Sequence, residues 1–254
     1  MEPRLRPVET VTPCKCCGTA AALYGVVDFT KSCEEGRGKI LPLSGVPVYY
    51  HRCPACGFIF TIAFDDFSPE DFARHVYNDE YILVDPDYTR VRPEANARSI
   101  AGAFKGARSL RILDYGGGTG VLAEGLRAAG FQDVQTYDPF VPRFADRAEG
   151  PFDMVVSFEV VEHSTDPRNT FDELTSLTGD DGLLLFSTLV QPPVVEKIRV
   201  AWWYVAPRNG HVSIYTRKAI ASLLPKGMKL ASLNDNIHIA FRTLPAFASH
   251  LRKA

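Results

Sequence analysis

Three groups of residues in this sequence could do chemistry. The first is a set of six cysteines, Cys14, Cys16, Cys17, Cys33, Cys53 and Cys56, all in the first quarter of the chain. Cys14/Cys17 and Cys53/Cys56 have C-x-x-C spacing, and each pair is followed by a glycine, Gly18 and Gly57. This spacing lets two thiolates converge on one ion while backbone N–H groups of the tight turn point at the sulfurs. Two such knuckles form the tetrahedral four-thiolate arrangement that zinc takes in structural positions. The 35 residues between the pairs exceed the usual zinc-ribbon gap. Redox-active C-x-x-C is the competing reading. Cys16 and Cys33 are left over, Cys33 as a buried thiol or an alternative ligand.

The second group is the run Asp114-Tyr115-Gly116-Gly117-Gly118-Thr119-Gly120. It follows an apolar strand and opens a helix, the context in which a glycine loop holds a ligand. The dinucleotide pattern G-x-G-x-x-G fails here, because counting from Gly116 puts Val121 in the last place. An acid-x-G-x-G-x-G spacing fits at Asp114, Gly116, Gly118 and Gly120. Asp138 ends the next strand, 22 residues beyond Gly116. The third group is E-x-x-E-H, with Glu159, Glu162 and His163, which His211 could join from a later loop. A helical turn there would put Glu159 and Glu162 on one side. His51, His75, His238 and His250 have no supporting pattern and read as structural or surface residues.

These groups need elements to position them. Between the cysteine pairs, Leu23–Val27 and Val46–Tyr50 are β-rich and punctuated by glycine and proline. A mostly β module of about 60 residues is small enough to need a metal staple. Ser68-Pro69-Glu70-Asp71 is a helix start, with Phe72 and Val76 on one face. Pro93 to Gly106 reads as a second helix with Ala97, Ile100, Ala101 and Phe104 inward. From residue 111, strands at 111–115, 134–137, 152–158, 183–188 and 212–215 alternate with helices at 121–129, 166–177 and 216–224. Segments 228–233 and 237–241 form a closing antiparallel pair. Alternating strands and helices imply an α/β fold with a parallel sheet.

Length and composition agree with this division. The chain has 254 residues, 46% hydrophobic and 23% charged, with a net charge of −2. Such apolar content excludes general disorder. No apolar run approaches the ~20 residues of a membrane span. The start, Met1 to Arg6, has no apolar leader segment. With clustered cysteines, this points to a reducing cytoplasm. The near-neutral charge argues against a protein built to grip nucleic acid. The expected organisation is a zinc module over 1–67, a helical connector over 68–108 and an α/β domain over 109–254.

The acid-x-G-x-G-x-G loop resembles motif I of the class I S-adenosylmethionine-dependent methyltransferases. Phe152-Asp153 leading into Glu159-Val160-Val161-Glu162-His163, the strand from Gly182 to Thr188, and Gly210-His211-Val212 before Thr216 resemble further segments of that superfamily. The match spans roughly residues 109 to 241. An N-terminal four-cysteine module followed by this domain resembles the sugar C-methyltransferases. The E-x-x-E-H segment resembles that of ubiquinone-type O-methyltransferases and small-RNA 2′-O-methyltransferases. The resemblance implies a Rossmann-like, mostly parallel sheet beside a small zinc-ribbon-like β module.

The resemblance also implies site residues. Asp114 would bind the ammonium of the methionyl part, directly or through water. Gly116, Gly118 and Gly120 would let the backbone approach the cofactor, and Asp138 would take both ribose hydroxyls. One departure is readable from spacing. Only 13 residues, Pro139 to Pro151, separate Asp138 from Phe152, too few for the usual helix, strand and loop. The third strand should be missing, so Phe140 becomes the candidate for the adenine face, with Phe158 as a further wall.

Three readings of Glu159, Glu162, His163 and His211 stay open. They could hold a second divalent cation, act as metal-free acid/base groups, or be structural. Trp202-Trp203-Tyr204 could shape an acceptor pocket, and Tyr77 and Tyr81 could cover the cofactor. The expected function is methyl transfer from S-adenosylmethionine to an oxygen or carbon of a small molecule, most naturally a sugar or glycan intermediate. The alternatives are an RNA methyltransferase and a non-catalytic cofactor-binding zinc scaffold. Near-neutral charge and the lack of an N/D-P-P-Y motif weigh against the first, and the intact loop with Asp138 against the second.

Overall fold

The computed structural model describes residues 9–253. The start at Met1 to Arg6, where the sequence reading expects no leader, lies outside them. In chain order the strands and α-helices are β1 (Val11–Pro13), β2 (Ala20–Asp28), β3 (Pro47–Arg52), β4 (Ile59–Thr61), α1 (Pro69–His75), α2 (Val91–Ala103), β5 (Arg111–Tyr115), α3 (Val121–Ala128), β6 (Asp133–Tyr137), β7 (Phe152–Ser157), α4 (Pro167–Leu177), β8 (Thr178–Ser187), α5 (Val195–Ile198), β9 (Ser213–Ile214), α6 (Arg217–Leu223), β10 (Lys229–Ser232) and β11 (Ile237–Phe241). They form two compact units. The first is built from the described part of Met1–Pro86 with Glu162–Arg168 and Leu189–Leu223. The second is built from Asp87–Val161, Asn169–Thr188 and the described part of Leu224–Ala254.

The first unit carries an antiparallel sheet in the order β1-β2-β3-β4-β9. Residues 212–215 were expected in the parallel sheet. Instead, β9 pairs Ile214 with Ile59 and Ser213 with Phe60, at the edge of the small sheet. The reason is chemical: Ser213 and Ile214 are both wholly buried, and β4 offers an apolar, fully buried edge, Ile59-Phe60-Thr61. Two wholly buried phenylalanines, Phe60 and Phe64, together with the core residues Tyr50 and Val212, fill this unit. Burial of each large apolar side chain contributes roughly 1.5–3 kcal/mol. Helix α1 begins as its sequence implies. Ser68 and Asp71 form a reciprocal capping box, Pro69 takes the first helical position, and Phe72 and Val76 are buried.

The second unit carries a six-stranded sheet in the order β10-β11-β8-β7-β5-β6. Strands β6, β5, β7 and β8 are parallel, and β11 and β10 close the sheet antiparallel. Between β6 and β7 stands only one 3₁₀ turn, Pro142–Phe144. The expected missing third strand is therefore absent among the described residues, and β6 is the sheet edge. Ala97, Ile100 and Phe104 of the α2 segment are buried in the core of this unit, with Leu122 and Leu126 of α3 and Met154 of β7. Helix α2 runs from Val91 rather than from Pro93. From β5 the chain passes to β6 on one side and then to β7 on the other. That reversal is where open α/β sheets bind ligands, beyond the strand carboxyl ends.

Candidate cofactor loop, metal centre and acid–histidine cluster

The two cysteine knuckles adopt the same backbone. Cys14 N–H donates to Thr19 C=O and Gly18 N–H to Cys14 C=O, at 2.9 and 2.8 Å. Cys53 N–H donates to Phe58 C=O and Gly57 N–H to Cys53 C=O, both at 2.9 Å. Backbone N–H groups of Cys16 and Cys17 face the Cys14 sulfur, and those of Ala55 and Cys56 face the Cys53 sulfur. The Sγ–Sγ separations are 3.6 Å for Cys14–Cys56, 3.5 Å for Cys17–Cys53 and 3.7 Å for Cys17–Cys56. A tetrahedron of sulfurs about zinc at ~2.3 Å has edges of about 3.8 Å, whereas a disulfide brings sulfurs to about 2.0 Å. The four thiols fit a zinc ion and are not bridged.

Cys16 is wholly buried, and burial pushes its thiol up, so it stays neutral and sits in the core. The Cys33 sulfur lies 3.7 Å from His211 Nδ1, away from the knuckles.

In the second unit, the glycine loop turns sharply off β5. Gly116 N–H donates to Tyr137 C=O at 2.7 Å, tying the loop to the end of β6. Asp138 lies just past that end and is 7% exposed. Its Oδ2 accepts from Gly118 N–H at 2.8 Å and its Oδ1 from Phe140 N–H at 2.9 Å. A carboxylate has about four acceptor positions, so lone pairs remain for vicinal hydroxyls. Gly118 has φ +54, and nothing stands within 4 Å of where a Cβ would project. A side chain there would be strained, and the open space is what a bound ligand needs.

Asp114 is buried beneath this loop. Its Oδ2 has no hydrogen-bond partner, and burial, with Asp138 nearby as a lesser cause, pushes the carboxyl up to about 7. A buried carboxyl oxygen without a donor calls for a proton or a cation. This fits a group that brings an ammonium and a ribose. Phe140 is half exposed, and its backbone rather than its ring is tied to Asp138. Phe158 packs partly buried against the core of this unit.

Glu159 follows β7 at φ +57, so the helical turn expected from it does not form; the 3₁₀ turn covers only Val161–His163. Ser187 Oγ accepts from Glu159 N–H at 2.9 Å and donates to Glu159 Oε1 at 3.1 Å. Arg92 Nη1 is 3.8 Å from Glu159 Oε2.

In the first unit, Glu162, His163 and His211 come together. A carboxylate oxygen and one nitrogen of each imidazole lie within 4.8 Å of one another. Val212 N–H donates to Glu162 C=O at 2.9 Å, which sets the segment before β9 against the Val161–His163 turn. The Tyr204 hydroxyl donates to Glu162 Oε1 at 2.6 Å. His211 Nδ1 is 2.9 Å from Tyr204 C=O, and Tyr50 donates to the His211 C=O at 2.8 Å. The Tyr77 hydroxyl is 3.1 Å from His163 Nδ1. Gly210, at φ +82, leaves room for this pair: a Cβ would stand 3.1 Å from His163 Nδ1 and 3.2 Å from the Tyr77 hydroxyl. Two imidazoles and a carboxylate form a donor set suited to Zn²⁺, Mn²⁺ or Fe²⁺. Tyr204 and Tyr77 carry no spacing signal as partners of this cluster, because 42 and 86 residues separate them from Glu162 and His163.

No described helix is long and apolar enough to cross a membrane. The chain is similar to the ubiquinone biosynthesis O-methyltransferases of Aromatoleum aromaticum and Alkalilimnicola ehrlichii. Each is 29% identical to it, over 33% of this chain and 46% of the former, and over 37% of this chain and 47% of the latter. It thus spans about half the length of these curated relatives. Among solved structures, the mitomycin 7-O-methyltransferase shares the fold at a TM-score of 0.50 and 16% identity, covering 70% of this chain and 61% of that one. Residues 88–226 match the family model described as "Methyltransferase domain". That match covers more than half of the chain and contains the glycine loop, Asp138 and the acid–histidine segment: the protein belongs to the methyltransferase-domain family.

Proposed function

We propose that this protein transfers a methyl group from S-adenosylmethionine to an oxygen or carbon of a small-molecule acceptor, with oxygen favoured. The observation that carries the reading is the carboxylate of Asp138 bound to Gly118 N–H beside an open glycine loop. Asp138 holds the ribose hydroxyls, Asp114 the ammonium, and the Gly116–Gly120 backbone lies along the ligand. Phe140 and Phe158 are assigned to the adenine. S-adenosylmethionine supplies a methyl carbon activated by the sulfonium. The protein's own contribution is mainly positioning for in-line attack.

Glu159, Glu162, His163 and His211 are assigned to the acceptor side. A histidine there accepts the acceptor's proton, worth about 10²–10⁴ in rate. The same donor set supports a divalent cation that would lower an acceptor hydroxyl's pKa. Within the acceptor class, a sugar or glycan intermediate is favoured by the order of zinc module and methyltransferase domain. Oxygen as the acceptor atom is favoured by the names of the curated relatives, both ubiquinone biosynthesis O-methyltransferases. A screen of nucleotide sugars, glycans, phenols and RNA with labelled S-adenosylmethionine tests all of this. A mass gain of one methylene on a sugar or phenol supports the reading, and methylation of RNA alone would replace it. We assign the four-thiolate centre to structural zinc.

A further inference from the structure

A loop made almost wholly of glycine must be held by something outside itself. Between Gly116 and Gly120 only Thr119 is not a glycine, and glycine loses the most backbone freedom when a chain is ordered. Gly120 opens α3 at φ +81 and has no side chain to cap the helix. One tether is the Asp138 carboxylate, whose Oδ2 accepts from Gly118 N–H. It acts at Gly118, two residues short of Gly120.

The rest of the loop is met by the short connection between β6 and β7. Directly after the strand its backbone folds back on itself. Asp138 N–H donates to Phe144 C=O at 2.9 Å, and Phe144 N–H donates to Val141 C=O at 2.8 Å. This turn carries Arg143 and Phe144 onto the glycine loop. The Arg143 guanidinium donates to Thr119 C=O. The Phe144 ring lies against Gly120, where an added Cβ would stand 3.0 Å from both Cε2 and Cζ of the ring. The guanidinium also covers that ring, 4.6 Å from its centroid, so the two side chains brace each other. Gly120 is buried, whereas Gly116, Gly117 and Gly118 are half-buried and Thr119 is exposed. The sequence points to Phe140 as the aromatic of this connection; the ring that meets the loop at Gly120 is Phe144.

We infer that Arg143 and Phe144 are positioning residues for the cofactor: with Asp138 they make the β6–β7 connection a clasp that holds the glycine loop in its binding shape. The effect on S-adenosylmethionine rests on the methyl-transfer reading; the clasp itself does not. Asp138 grips the loop at Gly118, and Arg143 and Phe144 grip it at Thr119 and Gly120. The connection has no strand of its own, and its turn does the holding. A ligand that meets a loop already held does not bear the cost of ordering it. Without the clasp the competent shape is only a fraction of the population, and apparent affinity falls by that fraction. Neither residue is asked to touch the reacting atoms.

The test uses the zinc-loaded full chain and two readouts. One is affinity for S-adenosylmethionine by calorimetry; the other is amide hydrogen exchange at Gly118 and Gly120 in the ligand-free protein. Arg143→Ala and Phe144→Ala should each weaken binding about tenfold, the loss expected when the competent loop falls to roughly a tenth of the population. Both should also speed exchange at the two glycines. Arg143→Lys, which keeps a donor for Thr119 C=O, should recover part of both effects. Arg143 is exposed, so its variants serve if Phe144→Ala fails to fold. Ile239→Val is the control for stability alone. It thins the core on β11, with β8 and β7 between it and β5, and should move neither readout. Unchanged exchange in both alanine variants would overturn the clasp, as would equal effects in Ile239→Val. Faster exchange with unchanged affinity would overturn its role toward the cofactor. A wild-type protein that does not bind S-adenosylmethionine would instead remove the cofactor reading, and exchange at Gly118 and Gly120 would then decide the clasp alone.

Discussion

Asp138 accepts a hydrogen bond from Gly118 N–H at 2.8 Å, so the end of β6 and the loop after β5 are held together by one carboxylate. The bond fixes the loop before any ligand arrives. It also ties the two features that carry the cofactor assignment into one unit of structure.

Asp138→Ala removes both the loop tether and the hydroxyl acceptor. Gly118→Val places a branched side chain at φ +54, in the space left for the ligand. Each should weaken S-adenosylmethionine binding at least tenfold, ~1.4 kcal/mol. Isothermal titration calorimetry measures it, and unchanged affinity in both variants would contradict the assignment.

Asp114 gives a pH dependence with a definite sign. Its folded carboxyl is pushed up to about 7, so in the ligand-free protein it binds a proton that the unfolded chain releases near its ordinary value. The unliganded fold therefore loses stability as pH rises from about 4 to about 7, and nothing further is lost from this group above that. If an ammonium needs the ionised form, affinity should rise about tenfold between pH 6 and pH 8, following the ionised fraction. Asp114→Asn should flatten both curves. Titrations and melts across that range are the check.

The four-thiolate centre predicts one zinc per chain in freshly purified protein. Because two knuckles 35 residues apart in sequence are joined through it, Cys56→Ser should release the metal and lower the melting temperature of the first unit. Metal analysis well below one equivalent in the native protein would count against the centre.

Gly125 on α3 faces Ala97 on α2, and an added Cβ would lie 2.7 Å from that of Ala97. Gly125→Ala should therefore destabilise the protein by about 1–3 kcal/mol through overpacking, despite alanine's better helix propensity. Denaturant unfolding decides the sign.

Much of this was legible in the sequence because it depends on short-range pattern. The knuckles, the helix start at Ser68, the glycine loop and the missing strand between Asp138 and Phe152 are each set by local residue types and spacing. The pairing of β9 with β4 was not legible, because Ile214 and Ile59 are distant in sequence and an apolar strand carries no label for its partner. The same holds for Tyr204 on Glu162 and Tyr77 on His163, where a side chain's partner is decided by packing. Glu159 defeated the helical-turn expectation because its left-handed backbone, tied to Ser187, is a local conformation that residue type does not encode.

The most direct test of the account is transfer of a labelled methyl group from S-adenosylmethionine by the wild-type protein beside His211→Ala and Asp138→Ala, across the acceptor screen. Wild type should methylate a small molecule. His211→Ala should bind S-adenosylmethionine normally but turn over 10²–10⁴-fold more slowly, roughly the worth of a general base, and Asp138→Ala should lose binding. Chelator-sensitive activity restored by added divalent ion, with the thiolate zinc retained, would assign the cluster to a metal. A wild-type protein that neither binds S-adenosylmethionine nor methylates any acceptor would contradict the account.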